Sequence, residues 1–358
     1  MAKTILGVDI GHDQLKLALV RGRQVVKAVS APMPENLMRQ GRVTSLDTMS
    51  DLIKTTMKSG GLRAGHAAIV LPNDVVFVKN VEMPVMNTEQ LEYNLPFEFN
   101  DYITGELREY VFDYAMVSDV AASGEAAEGE NEGSTPTMEL LAVGTLKSLV
   151  EDARSMMRKA GMKLVRTAPA ISAYIGLIRA QQEALSQVAE EYCVLDLGYE
   201  AIRMYMFRGD RHVATRLLET GMATLDNVLA DVYGVDVHLA HTYLMSNFED
   251  CQHREECMNA YSNISVELMR ALNFYRFSNP DSALEHMWLC GGGAVIEPLA
   301  ETISDMLNIQ LHPAAELVPG GAGVSECNTY AQAIGIALEE PKAARKTGKP
   351  PKAKKSKE

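Results

Sequence analysis

The hydrophobic and polar positions of residues 4–29 follow the pattern of a three-stranded antiparallel meander, and the same pattern returns from residue 192. Short apolar runs between glycine-rich or charged turns predict strands. The runs cover 5–10, 15–20 and 25–29 in the first copy, and 193–198, 201–207 and 213–219 in the second. Because an Asp-x-Gly turn follows the first run of each copy, at Asp9 and Asp196, the pattern indicates an internal repeat.

The rest of the chain alternates between predicted strands and helices, which indicates an α/β protein. A short helix opens near Asn87 or Thr88, either of which is a suitable N-cap. The further strands are predicted at 67–71, 75–81, 110–117, 138–143, 162–167, 285–290 and 309–312. The helices are predicted at 46–57, 146–159, 169–188, 222–253, 264–277, 295–307 and 329–338.

Length and charge narrow the class of protein. With 358 residues, the chain is long enough for two domains or one large split domain. Its net charge is −13, but residues 341–358 form a basic tail of net +7, so the preceding 340 residues are strongly acidic. This acidic part is not expected to bind nucleic acid. The tail and the acidic segment 118–137, which lacks an apolar period, are both predicted to be disordered.

The chain is expected to be cytoplasmic. Asp9 interrupts the N-terminal apolar run too early for a signal peptide, and no apolar run reaches the length of a membrane span, about 18 residues or more. The five cysteines are an odd number without disulfide-framework spacing, which favours a reducing compartment.

Three glycine-containing turns carry the candidate chemistry. Asp9-Ile10-Gly11 and Asp196-Leu197-Gly198 each end a buried strand, and Gly291-Gly292-Gly293 lies between a strand and a helix. Glycine lets backbone N–H groups approach an anion, and a carboxylate at a strand end can hold hydrated Mg²⁺. Two such turns facing each other could hold a triphosphate, with a nucleoside lying against the triple glycine.

These motifs, in this order, resemble those of the actin-like ATPase superfamily. Within it the chain is most similar to the PilM family of type IV pilus assembly proteins, over nearly its whole length up to Leu338. The resemblance is carried by 5–11 with Lys16, 95–98, 215–221, 267–275, 291–293 and 333–338.

The resemblance implies a two-lobed actin-like fold, related to ribonuclease H, with an inserted strand-helix-strand subdomain. The first lobe would comprise 1–72 and 166–190, and the inserted subdomain 73–165 would contain the acidic loop. The second lobe would cover 191–340, with a helical insertion at 223–282.

The resemblance also implies ATP and Mg²⁺ in the cleft between the lobes. Asp9 and Asp196 would hold the metal through water. The implied nucleotide-binding residues are Asp9, Gly11, His12 and Lys16 on one side, Asp196 and Gly198 opposite, and Glu267, Arg270, Gly291, Gly292 and Gly293 at the adenosine. The alternative for Lys16 is a solvated surface charge.

Proteins of this family bind the cytoplasmic N-terminal peptide of the membrane protein PilN, in a groove between the first lobe and the inserted subdomain. The resemblance therefore implies a non-catalytic adaptor held at the inner face of the membrane by its partner, with other pilus platform proteins and the assembly ATPase as further partners. Leu95, Pro96 and Phe97 either line that groove or are plain packing residues. The alternative functions are a small-molecule kinase of the same superfamily and an FtsA-like filament-forming protein.

Both phosphate motifs depart from the family pattern. Serine or threonine usually follows each Asp-x-Gly, whereas this chain has His12 and Asp13 after the first and Tyr199 and Glu200 after the second. The added carboxylates oppose a triphosphate unless Mg²⁺ offsets them. We therefore expect weak nucleotide binding or none, and slow hydrolysis at most.

Overall fold

The computed structural model of the chain describes residues 3–117, 136–185, 189–318 and 325–338. The predicted disordered loop 118–137 lies outside the described residues except for its last two positions, and the predicted tail 341–358 lies wholly outside them. Within the described ranges, no helix is long and apolar enough to cross a membrane.

The first lobe is built on a five-stranded sheet that contains the predicted N-terminal meander. Its strand order is β10-β6-β1-β2-β3. Strands β1, β2 and β3 are antiparallel, whereas β6 and β10 run parallel to β1. The bounds are β1 (Thr4–Ile10), β2 (Gln14–Arg21), β3 (Gln24–Pro32), β6 (His66–Leu71) and β10 (Lys163–Pro169), and a small ribbon, β4 (Met38–Arg39) with β5 (Arg42–Val43), lies beside them.

The second lobe repeats this topology. Its sheet has the order β13-β12-β11-β14-β15, again an antiparallel meander followed by two parallel strands. Asp9 and Asp196 occupy equivalent places, next to the hairpin turn of the central strand. The bounds are β11 (Glu191–Leu197), β12 (Ile202–Arg208), β13 (Arg211–Leu218), β14 (His286–Cys290) and β15 (Gln310–Pro313). The predicted internal repeat is therefore a repeat of fold.

Two helices fill the space between the sheets and join the lobes. The helices α4 (Ala170–Ala184) and α9 (Ala331–Ala337) contribute to one core cluster with strands of both sheets, including Val20 and Val194. Helix α9 lies so close to β1 that a Cβ on Gly7 would overlap the carbonyl oxygen of Ala333. Small residues at this crossing bring the two lobes together at the floor of a cleft.

The inserted subdomain is a three-stranded antiparallel sheet of order β7-β9-β8 with one short helix. Asn87 caps that helix, because its side chain accepts a hydrogen bond from the Gln90 backbone and Gln90 reciprocates. The phenyl ring of Phe99 is fully buried in the core of the subdomain. The bounds are β7 (Val76–Pro84), α2 (Thr88–Asn94), β8 (Tyr110–Met116) and β9 (Thr137–Leu146).

The boundary predicted for this subdomain at residue 165 needs a correction. Helix α3 (Lys147–Lys159) packs with α1 (Leu46–Ser59) on the first lobe, where Met156 and Met157 share a core with Met49. The Ser50 hydroxyl donates to the Met156 carbonyl over 3.3 Å. Since its apolar face is buried on the first sheet, α3 belongs to the first lobe, and the inserted subdomain ends near Leu146.

The second lobe carries further helices on the outer face of its sheet. Their apolar residues form one core with β11, β12 and β14, in which Tyr261 and Leu268 are buried. The bounds are α5 (Ala223–Tyr233), α6 (Val237–Ser246), α7 (Glu255–Ser278) and α8 (Glu297–Leu307). The predicted helical stretch 222–253 is thus two helices and a short 3₁₀ turn, and α7 begins nine residues before the predicted start at Ile264.

Candidate functional site

The two Asp-x-Gly hairpins face each other across a cavity of about 380 Å³ between the lobes. Both turns follow a central strand, so the repeated topology brings them to the same cleft. The cavity is lined by most of the predicted nucleotide-binding residues: Asp9, Gly11, His12 and Lys16 from the first lobe, and Asp196, Gly198, Gly291 and Gly292 from the second.

Two carboxylates and one ammonium group form the deep part of the cavity. Asp9 and Lys16 are partners in the β1–β2 register. Burial raises the pKa of the Asp9 carboxyl above its ordinary value, Lys16 opposes this rise, and Asp196 adds to it. Two acidic side chains from different lobes, each close enough to Lys16 for its charge to lower their pKa values, form a suitable site for a hydrated hard cation.

Asp196 is held in place by neighbours that the sequence analysis missed. Its side chain is buried, and burial raises its pKa, with Lys16 and Arg203 opposing. The Gln332 amide donates to Asp196 Oδ2 over 2.8 Å and to the Tyr174 hydroxyl over 3.1 Å. Gln332 comes from α9, far along the chain, and no local motif marks it.

The triple glycine has three different environments. Gly291 has φ of +90°, and a Cβ there would lie 2.7 Å from Asp196 Oδ1. Gly292 lines the cavity with open space beside it, whereas a Cβ on Gly293 would overlap Met222 Sδ. Gly292 therefore presents accessible backbone to the cavity, whereas Gly291 is buried against the end of β11 and Gly293 packs against Met222 away from the cavity.

Glu267 and Arg270 do not join this group. Both lie on α7 with exposed side chains, and neither lines the cavity. Their predicted role at the adenosine stays a prediction.

Two side-chain contacts lie at the mouth of the cleft. His12 Nε2 lies 3.1 Å from Glu200 Oε2, and Arg203 lies 3.0 Å from Asp74 Oδ1. Asp74 follows β6, a parallel neighbour of β1, so its position at a strand end is the signal that could have identified it. The residues that depart from the family pattern therefore contact each other where phosphates would be expected.

A histidine of the helical insertion makes a further contact across the cleft. His241 Nδ1 lies 3.0 Å from Asp226 Oδ2, and His241 Nε2 lies 3.7 Å from Asp13 Oδ2. The hydrogen bond with the buried Asp226 raises the pKa of His241, burial opposes the rise, and the negative charges of Asp226 and Asp13 add to it. His241 on α6 carried no motif, so the sequence analysis missed it.

A second cavity, also of about 380 Å³, lies between the first lobe and the inserted subdomain. We call it the subdomain groove. One wall is the edge strand β8 with part of β9, and the other is formed by β10, α4 and the end of α9. Apolar side chains such as Val111, Leu141 and Ile175 line it, with Arg166 and Arg179 among its polar residues.

The three predicted partner-binding residues lie outside the subdomain groove. Leu95 is 2 % exposed and belongs to the core of the inserted subdomain, and Pro96 is half-buried. Phe97 is 51 % exposed, and its ring meets that of Tyr93 edge to face, with the centroids 5.8 Å apart. Of the three, Phe97 therefore offers the most surface to a partner.

The duplicated lobes, the central cleft and the three glycine-containing turns define an actin-like ATPase fold. A family model described as "Type IV pilus assembly protein PilM" matches residues 7–339, so the chain belongs to this family.

Solved structures agree on the fold. The chain is similar to a structure described as "PilM-PilN type IV pilus biogenesis complex", with a TM-score of 0.76, 23 % sequence identity, and coverage of 93 % of this chain and 97 % of the other. It is also similar to the ethanolamine utilization protein EutJ from Carboxydothermus hydrogenoformans, with a TM-score of 0.58, 14 % identity, and coverage of 94 % and 89 %. Among curated proteins, no match is found.

Proposed function

We propose that this chain is an adaptor of the type IV pilus assembly platform that binds the cytoplasmic N-terminal peptide of a PilN-like membrane protein. It would lie in the cytoplasm, held at the inner face of the membrane through that partner. Membership of the family supports a role in pilus assembly, and the similar structure described as a PilM-PilN complex supports the kind of partner.

The observation that carries the proposal is the subdomain groove. Its wall includes β8, which is one of the two edge strands of its three-stranded sheet, and β8 alternates between exposed and half-buried residues. An edge strand has unpaired backbone groups to which an extended peptide can add, while apolar pockets select its side chains. The volume and the apolar lining suit a few side chains of a short peptide rather than a folded domain.

We further propose that the cleft binds a nucleotide with Mg²⁺, weakly. The residues present are compatible with such a group: Gly292 presents accessible backbone to the cavity, and Asp9, Asp196 and Lys16 all line it. A bound Mg²⁺ would supply the positive charge that a triphosphate needs beside these carboxylates. Asp9 and Asp196 would hold the hydrated metal and Lys16 would face the phosphates, while the His12–Glu200 pair would have to separate.

Peptide binding tests the adaptor role directly. The labelled N-terminal peptide of the PilN-like protein is titrated into the full chain, and fluorescence anisotropy is measured. Saturable binding that a scrambled peptide does not reproduce is expected. Equal signals from the two peptides would contradict the adaptor role.

Calorimetry tests the cleft separately. ATP with Mg²⁺ is titrated into the wild type and into Asp9→Ala. Weak binding that the variant loses is expected, whereas no heat from the wild type would mean that the cleft does not take nucleotide.

A further inference from the structure

Three potential metal ligands converge at the mouth of the cleft. His12, Asp74 and Glu200 each offer one ligand atom, and these atoms all lie within 4.8 Å of one another. They come from three separate turns: His12 from the β1–β2 hairpin, Asp74 from the 3₁₀ turn after β6, and Glu200 from the β11–β12 hairpin. Glu200 belongs to the second lobe, His12 to the first, and Asp74 lies where the first lobe joins the inserted subdomain, so the group spans the cleft.

We propose that His12, Asp74 and Glu200 bind a divalent transition-metal cation, such as Zn²⁺, that bridges the two lobes. One imidazole nitrogen and two carboxylate oxygens form a mixed donor set that suits such a cation, and water can complete the coordination. His12 Nε2 and Glu200 Oε2 are already 3.1 Å apart, close to the separation of two donors on one zinc ion.

The charge of the surrounding wall favours a cation. Six carboxylates line the cavity, namely Asp9, Asp13, Asp74, Asp196, Glu200 and Glu219, and the permanently charged cations among the lining residues are Lys16 and Arg203. Arg203 bonds Asp74 through Oδ1, so the second oxygen of Asp74 can face a metal. An excess of negative charge in a concave site concentrates cations there.

The proposed site differs from the Mg²⁺ site that the family resemblance implies. Asp9 and Asp196 offer oxygen atoms only, which suit a hard, hydrated cation. His12 offers an imidazole nitrogen, which Mg²⁺ does not favour. The two sites can therefore be separated by the choice of metal and by the choice of variant.

Titration calorimetry of Zn²⁺ into the full chain, without an affinity tag and in the presence of millimolar Mg²⁺, tests this proposal. We expect a component of one Zn²⁺ per chain that His12→Gln and Glu200→Gln each weaken by about tenfold or more. His238→Gln is the matched control, because His238 also pairs with a carboxylate, Glu35, over 3.0 Å, but no third ligand is near it among the described residues.

The outcomes are distinguishable. Loss of the component in the His12 and Glu200 variants, but not in the control, supports the site. Zn²⁺ binding that is unchanged in His12→Gln, that Mg²⁺ displaces, or that only Asp9→Asn removes would overturn it. Thermal melts identify misfolded variants. A correctly folded variant keeps the wild-type melting temperature without metal, and it loses only the increase in melting temperature that Zn²⁺ gives the wild type.

Discussion

His12 and Glu200 meet across the cleft, with Nε2 and Oε2 3.1 Å apart, each from one of the two Asp-x-Gly hairpins. Both stand at positions where the family resemblance leads one to expect residues with phosphate-binding hydroxyls. Here the two side chains contact each other instead, so a histidine–carboxylate contact joins the lobes at the mouth of the cleft. A nucleotide has to displace this pair and also to overcome the negative charge of Glu200.

Replacing the pair by hydroxyls should strengthen nucleotide binding. We expect the double variant His12→Ser/Glu200→Ser to bind ATP with Mg²⁺ more tightly than the wild type, on the order of tenfold, because one repulsive carboxylate is removed and two hydroxyl donors are added. Calorimetry at fixed ionic strength measures the effect.

The matched control is Glu35→Ser/His238→Ser, which removes a different histidine–glutamate pair across the lobes. Its two side chains do not line the cavity. If the control also binds ATP more tightly, or if the test variant binds ATP no more tightly than the wild type, the His12–Glu200 contact does not limit nucleotide binding.

The contact of His241 with Asp226 should make stability depend on pH. The pKa of His241 is raised above its ordinary value of 6.5, mainly through its hydrogen bond with Asp226. A group with a raised folded-state pKa stabilises the fold fully below its unfolded-state pKa and loses this contribution as the pH rises through the folded-state pKa. The facing groups are Asp226, Asp13 and the ring of Tyr199.

The wild type should therefore exceed His241→Asn in free energy of unfolding by more at pH 6 than at pH 8.5, about the range in which histidine titrates. Urea denaturation across this range measures the difference. His253→Asn, which removes an exposed histidine–carboxylate pair with Asp250, is the matched control for the loss of a histidine. A constant difference between the wild type and His241→Asn at all pH values would refute the assignment.

Gly7 should tolerate no side chain. A Cβ there would overlap the Ala333 carbonyl oxygen, which belongs to the backbone of α9 and cannot move away easily. Gly7→Ala should lower the free energy of unfolding by about 1–3 kcal/mol or more. Gly65→Ala is the control, since no atom lies within 4 Å of the Cβ it would add. Similar denaturation midpoints for the two variants would contradict the close packing of α9 on β1.

Peptide binding should depend on Ile175. This side chain faces the subdomain groove from α4, so Ile175→Asp places a charge on the apolar wall and should reduce affinity by at least about tenfold. Val165→Asp is the matched control, because Val165 is 46 % exposed on β10 and does not line the groove.

Phe97→Ala distinguishes peptide binding in the subdomain groove from binding to the exposed aromatic surface near Tyr93. Weaker binding in Phe97→Ala, with full binding in Ile175→Asp, would move the peptide site to that surface. Weaker binding in both would mean that the peptide extends from the groove to Phe97.

Much of the fold could be predicted because its signals are local. Alternating apolar runs and the repeated Asp-x-Gly turns predicted the two meanders. The family resemblance implied the site residues, and eight of these line the cavity. The assignment of α3 was wrong, because its place depends on which apolar surface it covers rather than on its own pattern.

The site residues that were not predicted from the sequence reach the cleft through tertiary contacts. Gln332 and His241 reach the cleft from helices distant in the chain, and nothing in their neighbouring sequence marks them. Leu95 carried part of the family resemblance, yet it is buried in the inserted subdomain. A sequence motif identifies residues typical of a family, but it does not distinguish residues that pack in the core from residues that contact a ligand.

Hydrogen–deuterium exchange of the full chain, with and without a saturating amount of the PilN-like N-terminal peptide, tests the adaptor role most directly. Peptide addition to the edge strand should slow amide exchange in β8 (Tyr110–Met116), and contacts in the groove should slow it in α4 (Ala170–Ala184). Unchanged exchange in both elements, or protection confined to residues 93–99, would contradict the proposed binding of the peptide in the subdomain groove.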